Sequence, residues 1–140
     1  MQRSIWIIVV AGVVLMVGAL LYYNKPHPSV VSQDPDFRLS ARELVQAFVE
    51  DEAQANATYG GKLVLVSGIV KDKLSDENGM IVVMDGTVAD ASVSCYLDSS
   101  QIQAMQALQT GDAVAIKGIC NGLMIDVIVD HAVVLKPESK

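Results

Sequence analysis

The sequence predicts an all-β fold with accessory helices. It reads as a closed five-stranded barrel, preceded by an amphipathic helix and, further upstream, by an apolar helix long enough to cross a membrane. Three observations carry that expectation. Ile5 to Tyr23 (IWIIVVAGVVLMVGALLYY) runs 19 residues without a charge. Further on, short β-branched runs alternate with turn residues, as in a small all-β unit. The frame G-x-x-V-x-[VI]-x-G also occurs twice, as GKLVLVSG from Gly61 to Gly68 and as GDAVAIKG from Gly111 to Gly118. One repetition is too little for a solenoid, which needs about three stacked units, so the two copies are read as matching strands of one domain.

The chain has 140 residues, of which 51% are hydrophobic, and its mean hydropathy is +0.38. That is too apolar for an ordinary soluble domain of this size. The excess sits in Ile5–Tyr23, which would span roughly 28 Å as a helix at about 1.5 Å per residue. Trp6 at one end and Tyr22 and Tyr23 at the other suit the headgroup zones, and Arg3 marks the side that stays inside. Val17-Gly18-Ala19 would satisfy a small-residue cleavage rule, but it lies inside the apolar run rather than after it. No cysteine stands near residue 20 to suggest a lipoprotein signal. Residues 1–23 are therefore read as an uncleaved single-pass anchor in the cytoplasmic membrane, contacting lipid through residues 5–23, with the remainder outside the cytoplasm.

Residues 24–37 carry three prolines and no hydrophobic period, and read as an extended linker. His27 lies between two of those prolines, as a solvated linker residue. Residues 38–140 then form the folded domain. Ser40-Ala-Arg-Glu43 fits a capping box, and Leu44 and Phe48 begin an amphipathic helix that ends near Asn56.

The strands follow. Lys62–Leu74 is long and β-branched with Gly68 inside it, Met80–Met84 follows a turn at residues 76–79, and Ala91–Leu97 follows Asp85-Gly86. At Ser99–Leu108 the period becomes helical through Ile102, Met105 and Leu108, with serine as a start signal and Thr110-Gly111 as the stop. Ala113–Cys120 and Leu123–Leu135 close the chain, joined at Asn121-Gly122, a strong hairpin signal. The order β-β-β-α-β-β is that of a five-stranded oligonucleotide/oligosaccharide-binding (OB) barrel, whose first and fourth strands lie side by side. Gly68 and Gly118 would mark bends in those paired strands, and Gly61 and Gly111 the turns that launch them.

The run A-x-x-x-Y-x-GK-x-x-x-V-x-G-x-V is seen at Ala55, Tyr59, Gly61, Lys62, Val66, Gly68 and Val70. With the later S-C-Y, G-D-x-V-x-I-K-G-x-C-N-G and D-V-I-V-D, which include Cys95, Gly111, Gly118, Cys120, Gly122 and Asp126, it resembles the bacterial tRNA_anti-like family of exported OB-fold proteins. The resemblance runs from about Leu39 to Leu135. It implies a fold far more than an activity, and this chain has His131 where that family often has cysteine.

Charge bears on the ligand. Beyond the anchor, nine basic residues face 16 acidic ones, a net charge of −7. An OB barrel that grips single strands needs a basic groove and aromatic platforms, each stacked base contributing about 1–3 kcal/mol. Past the anchor only Phe37, Phe48, Tyr59 and Tyr96 are aromatic, and two of these are expected outside the barrel. Nucleic-acid affinity is expected to be poor. Tyr59, Lys62, Lys71, Tyr96 and Lys117 are the residues that could line a binding face, with Lys73 near them, although solvated lysines scattered over the surface are the plainer account.

No nucleophile elbow, metalloprotease helix or phosphate loop occurs, and no catalytic residue, cofactor or metal is assigned. Asp126 and Asp130 share a strand face, which is more commonly a solvated face than a site. By alternation Cys95, Cys120 and His131 all point into the barrel. Three arrangements stay open: free buried thiols, a Cys95–Cys120 disulfide, or a metal site using His131, the last disfavoured by an apolar interior.

Three function classes follow. The first is a noncatalytic, membrane-anchored binding module outside the cytoplasm whose ligand is an envelope protein or a small molecule. The second is nucleic-acid binding, by fold analogy. The third is a haem carrier: the plan is similar to that of the cytochrome c maturation haem chaperone, which pairs its haem-binding histidine with a tyrosine four residues on. Here that residue, four after His131, is Leu135. The first reading is preferred.

Overall fold

The computed structural model describes residues 10, 12–19, 30–77 and 79–135. Residues 12–19 are helical, but most of the expected membrane span and residues 24–29 lie outside the described residues. Among the described residues no helix is long and apolar enough to cross a membrane.

A short strand comes first, β1 (Phe37–Ser40), in a stretch that the sequence reading divides between linker and domain. It runs parallel to β2 (Leu63–Asp76), with Phe37 opposite Val64 and Ser40 opposite Ser67. The domain is anchored even further upstream. The Asp36 amide donates to the Leu63 carbonyl at 2.7 Å, and the Leu63 amide returns the bond to Asp36 Oδ2 at 3.0 Å.

Helix α1 (Ala41–Glu50) opens with the expected capping box: Ser40 Oγ accepts from the Glu43 amide at 3.1 Å, and Glu43 Oε2 accepts from the Ser40 amide at 2.7 Å. The helix does not continue to Asn56. Asp51 is extended, with φ −154°, donates its own amide to the Ala47 carbonyl, and caps a second helix, α2 (Glu52–Tyr59), by accepting from the Gln54 amide at 3.0 Å. An aspartate inside a weakly apolar stretch competes for helix-start amides and splits the helix in two.

Strands β3 (Gly79–Val88) and β4 (Ala91–Leu97) continue the sheet. A 3₁₀ turn at Ser99–Gln101 and helix α3 (Ile102–Ala107) follow, and then β5 (Ala113–Leu123) and β6 (Val127–Leu135). The strand order is β1-β2-β3-β4-β6-β5, and β5 also pairs with β2, which closes a five-stranded barrel. The first and fourth barrel strands are therefore neighbours, with Gly68 opposite Val114 and Gly118 opposite Val64. The repeated frame marks this pair, and Gly61 and Gly111 before the two strands adopt φ of +71° and +94°.

The core fills the barrel with Val64, Val66, Val70, Val82, Met84, Val93, Cys95, Ile116, Cys120, Val127 and Val129, and α1 closes over it through Leu44, Val45 and Phe48. The bend in β2 falls not at Gly68 but two residues on, at a bulge between Val70 and Asp72. Gly68 instead leaves room for α1: a Cβ there would stand 3.0 Å from the Ala41 Cβ. Gly118 lies opposite an irregularity in β6, where the partners of Lys117 and Ile119 jump from Val133 to Asp130.

Two expectations about β5 and β6 are corrected. Asn121-Gly122 is not the hairpin loop: β5 runs through it to Leu123, with a bulge between Cys120 and Gly122, and the turn lies at residues 124–126. Gly122, with φ +97°, supplies the bulge rather than the turn. His131 does not point into the barrel but is exposed. It is the extra residue of the β6 bulge, with φ +49°, so alternation holds from Val127 to Val129 and resumes at Ala132 with the phase shifted by one.

Candidate functional site

Once β2 passes its bulge, its odd partner Lys71 and then Asp72 and Leu74 turn outward beside the outer faces of β3 and β4. The register aligns these side chains in rows. Leu74 faces Ile81, which faces Tyr96. Next come Asp72, Val83, Ser94 and, across the parallel β4–β6 pair, Ile128. In the third row Asp85 stands opposite Ser92.

The first row is apolar and open to solvent, with Leu74 48% and Tyr96 37% exposed. The lower rows are tied by polar bonds. Lys71 Nζ donates to Ser92 Oγ at 3.2 Å, Asp126 Oδ1 accepts from the Ser92 amide at 3.0 Å, and Asp126 Oδ2 accepts from Ser94 Oγ at 2.8 Å. Asp126 thus braces β4 from the β5–β6 turn. Asp130 accepts instead from the His131 amide at 2.8 Å, so the two carboxylates are held by different partners.

Two depressions lie near this wall, the larger on its opposite face. A cleft of about 490 Å³ lies where the β2–β3 hairpin meets α3, lined by Lys73, Ser75, Met80, Leu97, Ile102 and Met105 among others. A smaller one, about 300 Å³, lies at the β3–β4 turn between Lys71, Asp85 and Asp90. In the larger cleft Lys73 Nζ is already engaged, donating to the Met105 and Leu108 carbonyls at the end of α3.

Of the residues singled out from sequence, Lys71 and Tyr96 both lie on this face, two rows apart. The others do not. Lys117 is buried on β5, and its Nζ donates to the Val31 and Gln33 carbonyls at 2.9 and 2.7 Å, so it binds the protein's own linker. Tyr59 packs edge-on against Phe37, with ring centroids 5.0 Å apart, and Lys62 is exposed just before β2. Leu74 escapes a sequence reading because the bulge at Lys71 resets which β2 residues face outward, and Ile128 because it joins its row only through the parallel β4–β6 pairing.

Cys95 and Cys120 are free and buried. Burial pushes both thiols above their ordinary pKa, Cys95 most strongly. Each is paired with Val129, from opposite sides of β6. Their Cα atoms are therefore two strands apart, roughly 8–10 Å at a strand spacing of about 4.8 Å, beyond the reach of about 7 Å that a disulfide allows. His131 lies on the far side of the wall, its Nδ1 3.5 Å from Asp98 Oδ1, so the cysteines and His131 do not form one metal site. Because His131 is exposed, core burial is no argument against a haem role; the departure at Leu135 remains.

A closed barrel with this strand order and a helix between its third and fourth strands is an OB fold. The tRNA_anti-like profile matches residues 1–136, and the chain belongs to that family. Among solved structures, the chain is similar to a lipoprotein from Klebsiella pneumoniae thought to bind nucleic acid, with 23% identity and a TM-score of 0.61, covering 80% of this chain and 100% of that one. It is also similar to the Stn1–Ten1 complex of S. pombe, with 14% identity and a TM-score of 0.43 over 54% of this chain and 59% of that one. The first likeness shows the shared fold. No curated protein matches the sequence significantly.

Proposed function

We propose that the protein is a noncatalytic binding module, anchored in the cytoplasmic membrane with its OB barrel outside the cytoplasm, and that it binds an envelope protein or a small molecule on the outer face of β2, β3 and β4. The observation that carries this reading is the solvent-open row Leu74–Ile81–Tyr96 at the place where OB barrels receive their ligands. The 19-residue apolar run supports the anchor, as does a family match that includes it. The similar lipoprotein points to an envelope setting.

The tether is short. With Val31 and Gln33 held by Lys117, residues 24–30 are the spacer left, spanning at most roughly 25 Å at about 3.5 Å per residue. The barrel therefore stays close to the bilayer.

The nucleic-acid role attached to the Klebsiella pneumoniae protein is the competing reading. Here the face is lined by Asp72, Asp85 and Asp126, and Tyr96 is its one aromatic ring. Phosphates would be repelled there. Two measurements test the proposal together. A reporter active only outside the cytoplasm, fused after Lys140, is expected to be active, and the full chain in nanodiscs is expected to show no salt-sensitive binding of single-stranded DNA or RNA at low micromolar concentration. A reporter that works only in the cytoplasm, or tight binding that weakens with salt, would contradict the proposal.

A further inference from the structure

We infer that the ligand of the outer face is a basic polypeptide segment carrying apolar side chains; this rests on that face being the ligand site. Shape and charge select this class. The row Leu74–Ile81–Tyr96 lies open on the outer wall, whereas the larger cleft is lined by the alternating residues Lys73, Ser75, Met80 and Leu97 on the opposite face of the same strands. Small ligands are held in concave sites that cover most of their surface, whereas a polypeptide can lay several apolar side chains along an open row.

Around the row carboxylates outnumber cations. Asp72 lies on β2 and Asp85 on β3, Asp98 follows Tyr96 by two residues, and Asp126 and Asp130 stand beside β4 at the β5–β6 turn and on β6. On the three strands the outward cation is Lys71, and its ammonium is bonded to Ser92 Oγ. His131 adds an imidazole that is already paired with Asp98. An acidic peptide or a phosphate backbone meets repulsion here, and a segment bearing lysine or arginine between apolar residues meets attraction at its charges and burial at its side chains. Charge alone would draw any cation to so acidic a domain, so the apolar row must supply the selectivity.

The test uses the full-length chain in nanodiscs of zwitterionic lipid. It is titrated with short synthetic peptides alternating Lys-Val, Lys-Ser or Glu-Val, and with oligothymidylate. The Lys-Val peptide is expected to bind at least about tenfold tighter than the Lys-Ser peptide, with an affinity that falls as salt rises. Tyr96→Ser, and independently Leu74→Ser in case the first variant folds poorly, are expected to abolish that tenfold gap. Equal affinity for Lys-Val and Lys-Ser would mean bulk charge attraction and would overturn the inference. Tyr96-dependent binding of Glu-Val or oligothymidylate would leave the face as a ligand site while overturning the partner class. Binding of every probe without regard to Tyr96 and Leu74 would overturn both.

Discussion

Gly118 and Gly68 share a sequence frame but not a physical role, and substitution should separate them. A Cβ on Gly118 would stand 2.6 Å from Val129 Cγ1 and 2.7 Å from the Asp130 carbonyl oxygen. The second contact is backbone and cannot yield cheaply, so Gly118→Ala is expected to cost about 3 kcal/mol. At Gly68 the neighbours are the Ala41 methyl at 3.0 Å and Met84 Sδ at 3.4 Å, groups that can shift by a few tenths of an ångström, and Gly68→Ala should cost about 1 kcal/mol or less. Denaturant melts of the two variants measure the difference; equal costs would contradict these packing roles. His131 offers the converse case. Its φ of +49° makes valine, ordinarily a good strand residue, the wrong choice there. His131→Val should destabilise by about 1–2 kcal/mol, and His131→Gly should be neutral or stabilising. The sequence shows where glycines and cysteines stand, and the burial of Cys95 and Cys120 was legible from alternation. The outward turn of His131 was not, because one bulged residue reverses every later side chain and leaves no mark in composition. For the cysteines, the register predicts that neither thiol reacts while the protein is native and that both titrate once it is denatured; the absence of free thiols under denaturing conditions would show a disulfide instead.

Among the elements, α1 shows how a local signal survives folding intact. The hydrogen bonds from the Ser40 amide and hydroxyl hold the Glu43 carboxyl below its ordinary value of 4.5. A depressed carboxylate pKa contributes stability that is complete above the unfolded value and is lost as pH falls through the folded one. The stability gap between wild type and Glu43→Ala should therefore be constant near neutrality and close below about pH 4.5; a gap that persists at pH 2 would remove the carboxylate from the explanation. The linker behaves differently. Its three prolines suggest a free stalk, yet Lys117 and Asp36 bind its last residues to the barrel. That docking depends on a lysine about 85 residues away, which no local pattern can reveal. Lys117→Met is expected to raise hydrogen exchange of the Asp36 amide and expose residues 31–35 to proteolysis, with a stability loss of about 1–2 kcal/mol. Unchanged exchange at Asp36 would show that the lysine does not hold the segment. The misplaced hairpin at Asn121-Gly122 has a similar origin: a left-handed glycine serves a bulge as well as it serves a turn, and only the pairing partner decides.

At the scale of the whole molecule, the paired strands carrying the glycine frame made the barrel legible, because a β-β-β-α-β-β order with matched first and fourth strands has few closed solutions. Of the proposed binding face, the sequence reading named Lys71 and Tyr96. Among its apolar members, Leu74 depends on the bulge in β2 and Ile128 on a parallel pairing between strands about 30 residues apart. The central claim is that this wall, rather than the cleft under α3 or a basic groove, meets the ligand. Site-specific photo-crosslinking in intact cells tests it most directly, with benzoylphenylalanine placed in the full-length chain at Leu74 on the face and, separately, at Lys62, exposed just before the other end of β2. The account predicts discrete, nuclease-resistant protein adducts in the membrane fraction from position 74 and none from position 62. Adducts of equal yield from both positions, or adducts from position 74 that nuclease removes, would contradict it.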